Sequence, residues 1–233
     1  MPEWPADAAG GMKISVVIPT YNAAKTLNAT LRSANTGLPG AEIIVSDGGS
    51  TDSTAEIASA AGVRFVRGAK GRGVQMNAGA FLAKGDIFVF LHADTVLPAG
   101  ALECVEKAFD RRAAKIAKFQ LAFDHKHWVL RAYAAMTIFD CLLTSFGDQC
   151  IVISKDFFEA LGGFPDWPLF EDVRIFQKAR EKTRVHVFRE KVVTSAEKFL
   201  KNGIFRQQWK NLALIISYKT GADPETLYQK YYR

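Results

Sequence analysis

A chain of 233 residues, 48% hydrophobic and 12% aromatic, is long and apolar enough to bury a full core, which excludes a disordered protein and sets one globular domain, or one with a small appendage, as the expectation. Its 30 Lys and Arg against 24 Asp and Glu leave a formal charge of +6, which suits an anionic partner (a nucleotide diphosphate, a phospholipid surface or nucleic acid) and equally a plain solvated basic surface. Three cysteines, Cys104, Cys141 and Cys150, are odd in number and lack C-x-x-C spacing, arguing against a disulfide framework or a structural zinc site and for a reducing, cytoplasmic compartment.

The opening MPEWPADAAGG has two acids, no basic residue and no apolar centre, so residues 1–12 read as a flexible leader and not as a secretory signal. No apolar run reaches the roughly 18 residues of a spanning helix. KISVVIPTYN then reads as a strand from Ile14 to Ile18, stopped by Pro19 and apolar throughout, as in a parallel sheet buried on both faces. Leu27, Leu31 and Ala34 recur at helical spacing up to GLPG. Ile43 to Val45 form a second strand, and Asp52 or Ser53 is placed to cap a helix running through Ala61. A third strand spans Val63 to Val66, RGVQMNAGAFLAKG forms a third helix, and Ile87 to Leu91 a fourth strand. This alternation predicts a βαβ sheet with right-handed crossovers.

The second half is more mixed. Lys115 to Phe123 reads as a strand, HWVLRAYAAMTIFDCLLTSF as one long apolar helix, and CIVIS as another strand. KDFFEALGGF and LFEDVRIFQKAREK read as helices around a loop with Gly163, Pro165 and Pro168. A boundary near residue 112 separates a half of residues 13–112 from one of 113–233.

His92 and Asp94 stand just past the fourth strand, at the carboxyl end where open α/β sheets place their ligands. A carboxylate there is a natural ligand for a hard cation shared with phosphate oxygens. His92 is a second ligand, a sugar contact, or a histidine bonded to backbone. HADT lacks the nucleophilic Asp of a phosphatase D-x-D-x-T loop. Asp47, in SDGGSTDST, either caps its own turn or borders a ligand. Lys70 and Arg72, between glycines ahead of a helix, make a cradle for a diphosphate, though neither a Walker loop nor a dinucleotide fingerprint is present. Glu171 and Asp172 open a helix, either as acids favourable to its dipole or as a general base. Asp148 and Gln149, in FGDQC, form a turn or line an acceptor side.

In order and separation, SVVIPTYN, SDGGSTDST, GRGVQMNAGA, FLHADTVLP, GDQ, LGGFPDWPLFEDV and VVTSAEKFLKNGIFRQQW resemble a family 2 glycosyltransferase of the GT-A fold, closest to a small soluble bacterial subgroup with HAD in place of D-x-D. The resemblance runs from Lys13 to the end. It implies an α/β, Rossmann-like, mostly parallel central sheet with helices on both faces, forming a single domain over residues 13–233: a nucleotide-binding half (13–112) and an acceptor half (113–233) with C-terminal helices.

It also implies an inverting, hexosyltransferase-like enzyme that uses a nucleotide-diphosphate sugar, a divalent cation (Mg2+ or Mn2+) and no nucleic acid. By the same resemblance Pro19, Tyr21, Asn22, Asp47, Arg72, Asn77, His92 and Asp94 contact the donor, Asp94 holds the metal, Asp172 is the base with Glu171 in reserve, and Asp148 and Gln149 lie on the acceptor side. Three departures stand out: Gly48 replaces a second acid after Asp47, His92 replaces the first Asp of D-x-D, and Lys198 and Phe199 replace Arg-Trp. The competing readings are a nucleotidyltransferase acting on a sugar phosphate and a non-catalytic nucleotide-sugar binding protein. GIFRQQWKNLALIISYKTG, with Arg206, Lys210 and Lys219, either packs on its own domain or lies peripherally on the inner face of a membrane, where it would present a lipid-linked acceptor.

Overall fold

The computed structural model describes residues 12–110 and 113–232. The leader, apart from Met12, and the boundary near residue 112 lie outside the described residues. Eight strands, β1 (Ile14–Thr20), β2 (Glu42–Asp47), β3 (Arg64–Arg67), β4 (Ile87–Phe90), β5 (Thr95–Val96), β6 (Ile116–Phe123), β7 (Ile151–Ser154) and β8 (His186–Thr194), form one sheet in the order β3-β2-β1-β4-β7-β6-β8-β5. The helices are α1 (Leu27–Gly37), α2 (Thr54–Ala60), α3 (Arg72–Leu82), α4 (Ala101–Phe109), α5 (Trp128–Met136), α6 (Lys155–Leu161), α7 (Glu171–Arg180), α8 (Glu197–Asn202), α9 (Ile204–Lys219) and α10 (Pro224–Tyr232).

The strands β3, β2, β1 and β4 pair in parallel, β4–β7 and β7–β6 antiparallel, β6–β8 in parallel and β8–β5 antiparallel. β1 is buried along its whole length because helices cover both sheet faces. Val16 and Ile18 join Leu27, Leu31 and Val105 in one core, while Val17 joins Met76, Phe88 and Phe158 in the other. That two-sided burial is why the strand reads as a continuous apolar run. α3 lies so close on β1 that a Cβ at Gly79 would collide with the Val17 side chain.

Pro19 stops the strand on one side only. Leu91 N donates to Val17 O at 3.0 Å, and the next rung toward β4 would need an N–H at residue 19, which proline lacks. On the other side the bonds to β2 continue, with Gly48 N donating to Thr20 O at 2.9 Å. β1 and β4 therefore part beyond Val17. Because β2 and β3 lie on one side of β1 and β4 on the other, this is the topological switch point, where an open α/β sheet opens a crevice.

The long helix expected over residues 127–146 is shorter: α5 ends at Met136. Thr137 Oγ1 donates to Ala134 O and accepts Leu121 N at 2.9 Å, tying the chain to β6. Farther on, the wholly buried Lys118 of β6 donates to Phe139 O (3.0 Å) and Thr144 O (2.9 Å), and Asp140 pairs with Arg180 of α7. These bonds to β6 and α7 hold residues 139–144 in a path that departs from the helix axis. The sequence reading had no β5, β8 or α4. Of the two candidates for capping α2, Ser53 occupies the cap position but makes no side-chain bond there, while Asp52 Oδ1 accepts Thr54 N at 3.1 Å.

Candidate active site

Beyond the parted ends of β1 and β4 lie two adjoining cavities of about 660 and 620 Å3 that share Arg72, His92, Asp94, Ser195 and Lys198. The smaller is bordered by the β1 end and its loop, Pro19 to Thr26, and by Lys25, Lys198 and Lys201. The larger runs under α5 and α9 and is walled mainly by aromatic and aliphatic side chains, with Asp148 and Asp172 on its polar side.

Around the smaller cavity, Asn22 Oδ1 accepts Thr51 N at 2.9 Å and Asn22 N donates to Ser50 Oγ at 2.8 Å, joining the β1 and β2 loops. Lys70 Nζ lies 3.8 Å above the ring of Tyr21, a cation–π contact at its mouth. Asp47 has another task. Its oxygens accept Thr20 Oγ1 (3.0 Å), Gly49 N (2.9 Å), Ser50 N (2.8 Å) and Ser50 Oγ, so it holds the turn and lines neither cavity. Gln75, which the sequence reading passed over, donates to Thr20 O (2.6 Å) and Ser46 O (2.8 Å) and braces the ends of β1 and β2. Asn77 is also a brace: its amide bonds Phe164 N and O, away from both cavities.

Arg72, the first residue of α3, lies between the cavities with Nε 2.6 Å from Glu171 Oε1. Glu171 is wholly buried, and burial holds its carboxyl above the usual range against the opposing pull of Arg72. Asp172 follows it into the larger cavity. Its Oδ2 accepts Gly147 N at 2.6 Å and its Oδ1 accepts Val173 N at 2.7 Å, so two backbone donors aim the carboxylate. Gly147 has to be glycine, since a Cβ there would lie 2.8 Å from His92 Nε2 and 3.0 Å from Asp172 Oδ2. Burial first, then the nearby charge of Arg72, lowers His92 to about 4, and Nε2 of this neutral ring has no hydrogen-bond partner among the described residues. Burial, followed by Asp172 and Asp94, raises Asp148 to about 7. Gln149 is buried behind the site, donating to Thr144 O at 2.7 Å.

Asp94 is exposed between β4 and β5, its Oδ1 accepting Thr95 Oγ1 at 3.2 Å. β5 pairs with the end of β8, and Ser195 N donates to Asp94 O at 3.1 Å, which carries Ser195 and Lys198 alongside the carboxylate. Asn22, Cys150 and Phe170 are the non-glycine residues of positive φ among those described, and each adjoins the site, where backbone strain is often concentrated. No three His, Cys, Asp or Glu side chains among the described residues gather into a metal cage. Tyr133, Gln208 and Trp209 also line the larger cavity; the sequence signal for them was only aromatic and amide content on two apolar stretches.

The fold is shared with several solved structures. The TarS 1–349 fragment of S. aureus aligns with a TM-score of 0.67 at 21% identity, over 91% of this chain and 66% of that one. A Pyrobaculum calidifontis mannosyltransferase in complex with GDP-Man and Mn2+ aligns at 0.67 and 19% identity, over 88% and 62%. Glucosyl-3-phosphoglycerate synthase of Mycobacterium tuberculosis, in complex with Mn2+, UDP and glucosyl-3-phosphoglycerate, aligns at 0.65 and 19%, over 91% and 81%. The chain thus spans about two thirds or less of the first two. No curated protein matches the sequence. A sheet of this order, with its acids gathered past the carboxyl ends of the parallel strands, is the GT-A glycosyltransferase fold. The profile of glycosyl transferase family 2 matches residues 15–159, and the chain belongs to that family.

Proposed function

We propose that this glycosyltransferase moves a sugar, with inversion, from a nucleotide-diphosphate donor to an acceptor hydroxyl, assisted by a divalent cation. The observation that carries the reading is that Asp94 and Asp172, far apart in sequence, line one cavity, and that Asp94 also lines the adjoining basic one. In this reading the half formed by residues 13–112 takes the nucleotide along Pro19, Tyr21 and Asn22. Arg72 and Lys198 flank the diphosphate. The half formed by residues 113–233 takes the acceptor beside Asp148.

The residues present fit a cation shared with the donor. Asp94 is an exposed carboxylate, His92 is neutral with an unpartnered buried nitrogen, and Mg2+ or Mn2+ in such company needs only one or two protein ligands beside phosphate oxygens. A bound cation would offset the charge growing on the leaving diphosphate. The Mn2+ complexes of the mannosyltransferase and the synthase point the same way for their own sites. Asp172, held by Gly147 N and Val173 N, accepts the proton of the acceptor hydroxyl as its oxygen attacks the anomeric carbon. Arg72 holds Glu171 back from the cavity, so Asp172 is the base of choice.

The test is Asp172→Asn. Turnover should fall about 10²–10⁴-fold while calorimetry with UDP- or GDP-sugars shows donor binding retained. Full turnover in that variant would remove the base assignment. The anomeric configuration of the product, read by NMR, checks inversion.

A further inference from the structure

Helix α9 carries apolar side chains on its outer side as well as its inner one. Phe205, Trp209, Leu212 and Ile216, at the i, i+4, i+7 and i+11 positions of one stripe, are 53%, 70%, 37% and 51% exposed. Its inward side carries the buried Ile215, packed with Phe170, Val173 and Leu227, and Gln207, which is 1% exposed and bonded to Asn202 and Asn211; Phe205, Trp209 and Leu212 also border the larger cavity. A helix that packs only on its own domain would not leave four large apolar side chains in water beside its buried ones. The stripe continues onto neighbouring elements: Trp128, 68% exposed on α5, meets Phe205 with ring centroids 5.8 Å apart, and Met136, Ile138, Phe139, Leu143 and Leu200 are exposed as well. Met136, Leu143, Phe205, Trp209 and Leu212 of this set line the larger cavity, so exposed apolar side chains gather as a rim at its mouth, a feature that marks interaction surfaces.

The charges on the rim segments are mostly positive, with Asp124, Asp140 and Glu197 at their ends. Residues 198–219 contain Lys198, Lys201, Arg206, Lys210 and Lys219 and no acid, and residues 125–139 contain Lys126 and Arg131 and no acid. Arg131 stands one turn from Trp128, and both Lys201 and Arg206 are exposed. Aromatic side chains flanked by lysine and arginine suit the boundary between head groups and acyl chains of an anionic bilayer. Among the described residues no helix is long and apolar enough to cross a membrane, so the contact is peripheral.

We propose that the α5–α9 rim docks this protein on an anionic lipid surface. If Asp172 is the base, docking directs the mouth of the acceptor cavity at the bilayer; the docking itself requires no sugar transfer.

The experiment is flotation of the full chain with vesicles of phosphatidylcholine alone or mixed with phosphatidylglycerol, without any sugar donor, so its result is independent of the assignment of Asp172. The protein should bind the mixed vesicles at least about tenfold more tightly, and high salt should weaken binding. Combined Trp128→Ser, Phe205→Ser and Trp209→Ser should lose vesicle binding by about tenfold or more with little change in melting midpoint, since each side chain is more than half exposed. As a second variant at exposed positions, Lys201→Glu with Arg206→Glu should lose the preference for anionic lipid. Failure of the wild type to float with either vesicle, or flotation of both variants like the wild type, would overturn the proposal. So would a dimer in light scattering that Trp209→Ser dissociates, because a second copy would then cover the rim.

Discussion

Gly147 shows how a single residue sets the geometry of the polar site. Its N–H aims Asp172, and the missing Cβ leaves space for His92 Nε2 on one side and Asp172 Oδ2 on the other. Gly147→Ala should therefore push the carboxylate off line and cut turnover on the order of 10²-fold, the scale for a displacement of about 1 Å, while the fold persists; single-turnover kinetics beside a melting curve would check it. The sequence made Asp94 and Asp172 legible as candidates because a carboxylate past a strand end and an acid in a helix's first turn each have a chemical use. It left Asp47 open between turn and ligand, named Asn77 only through the resemblance and passed over Gln75, since the same amide or carboxylate serves a turn or a ligand until its neighbours are known. In the structure, Asp47 and Asn77 are committed to backbone partners.

Elements were read best where both faces are buried. β1, β2 and β4 are nearly continuous apolar runs, and α3 falls between two of the strands in the alternation; Gly79→Val should cost about 1–3 kcal/mol in denaturant unfolding because Val17 blocks the added atoms. β8 was missed because its middle, Arg189 to Lys191, faces solvent and breaks the apolar pattern. The expected long helix after Trp128 failed for a different reason, the pull of Lys118 from another strand. Burial lowers Lys118 to about 8, so the folded state holds its proton less tightly than the unfolded chain. Between pH 8 and about 10.5 the unfolded state binds more protons, and this group's contribution to stability rises with pH. Phe139 O and Thr144 O also receive Thr144 Oγ1 and Gln149 Nε2, so Lys118→Met keeps both carbonyls bonded. Unfolding free energies of the two proteins at pH 7 and pH 10 should then diverge in the wild type's favour by up to roughly 3 kcal/mol; a constant difference would refute the weakened proton affinity of Lys118 in the folded state.

At the scale of the whole molecule, one sheet delivers two cavities to one carboxylate. Asp94 lies where β4 hands over to β5, and the β5–β8 pairing brings Lys198 beside it from the far end of the sequence. Asp94→Asn should abolish the cation-dependent part of donor binding, and EDTA should do the same to the wild type; a thermal-shift titration with a nucleotide sugar, with and without Mn2+, reads both, because a bound donor raises apparent stability by mass action. The sequence by itself determined the parallel half of the sheet, the position of His92 and Asp94 at a strand end, and the family resemblance, because apolar periodicity and motif order are local properties. Tertiary structure alone decided which acids share a cavity, that Glu171 is withdrawn beneath Arg72, and that the apolar stripe of α9 faces outward. Those depend on partners dozens of residues away, and a helical stripe looks the same in sequence whether it meets a core or open solvent.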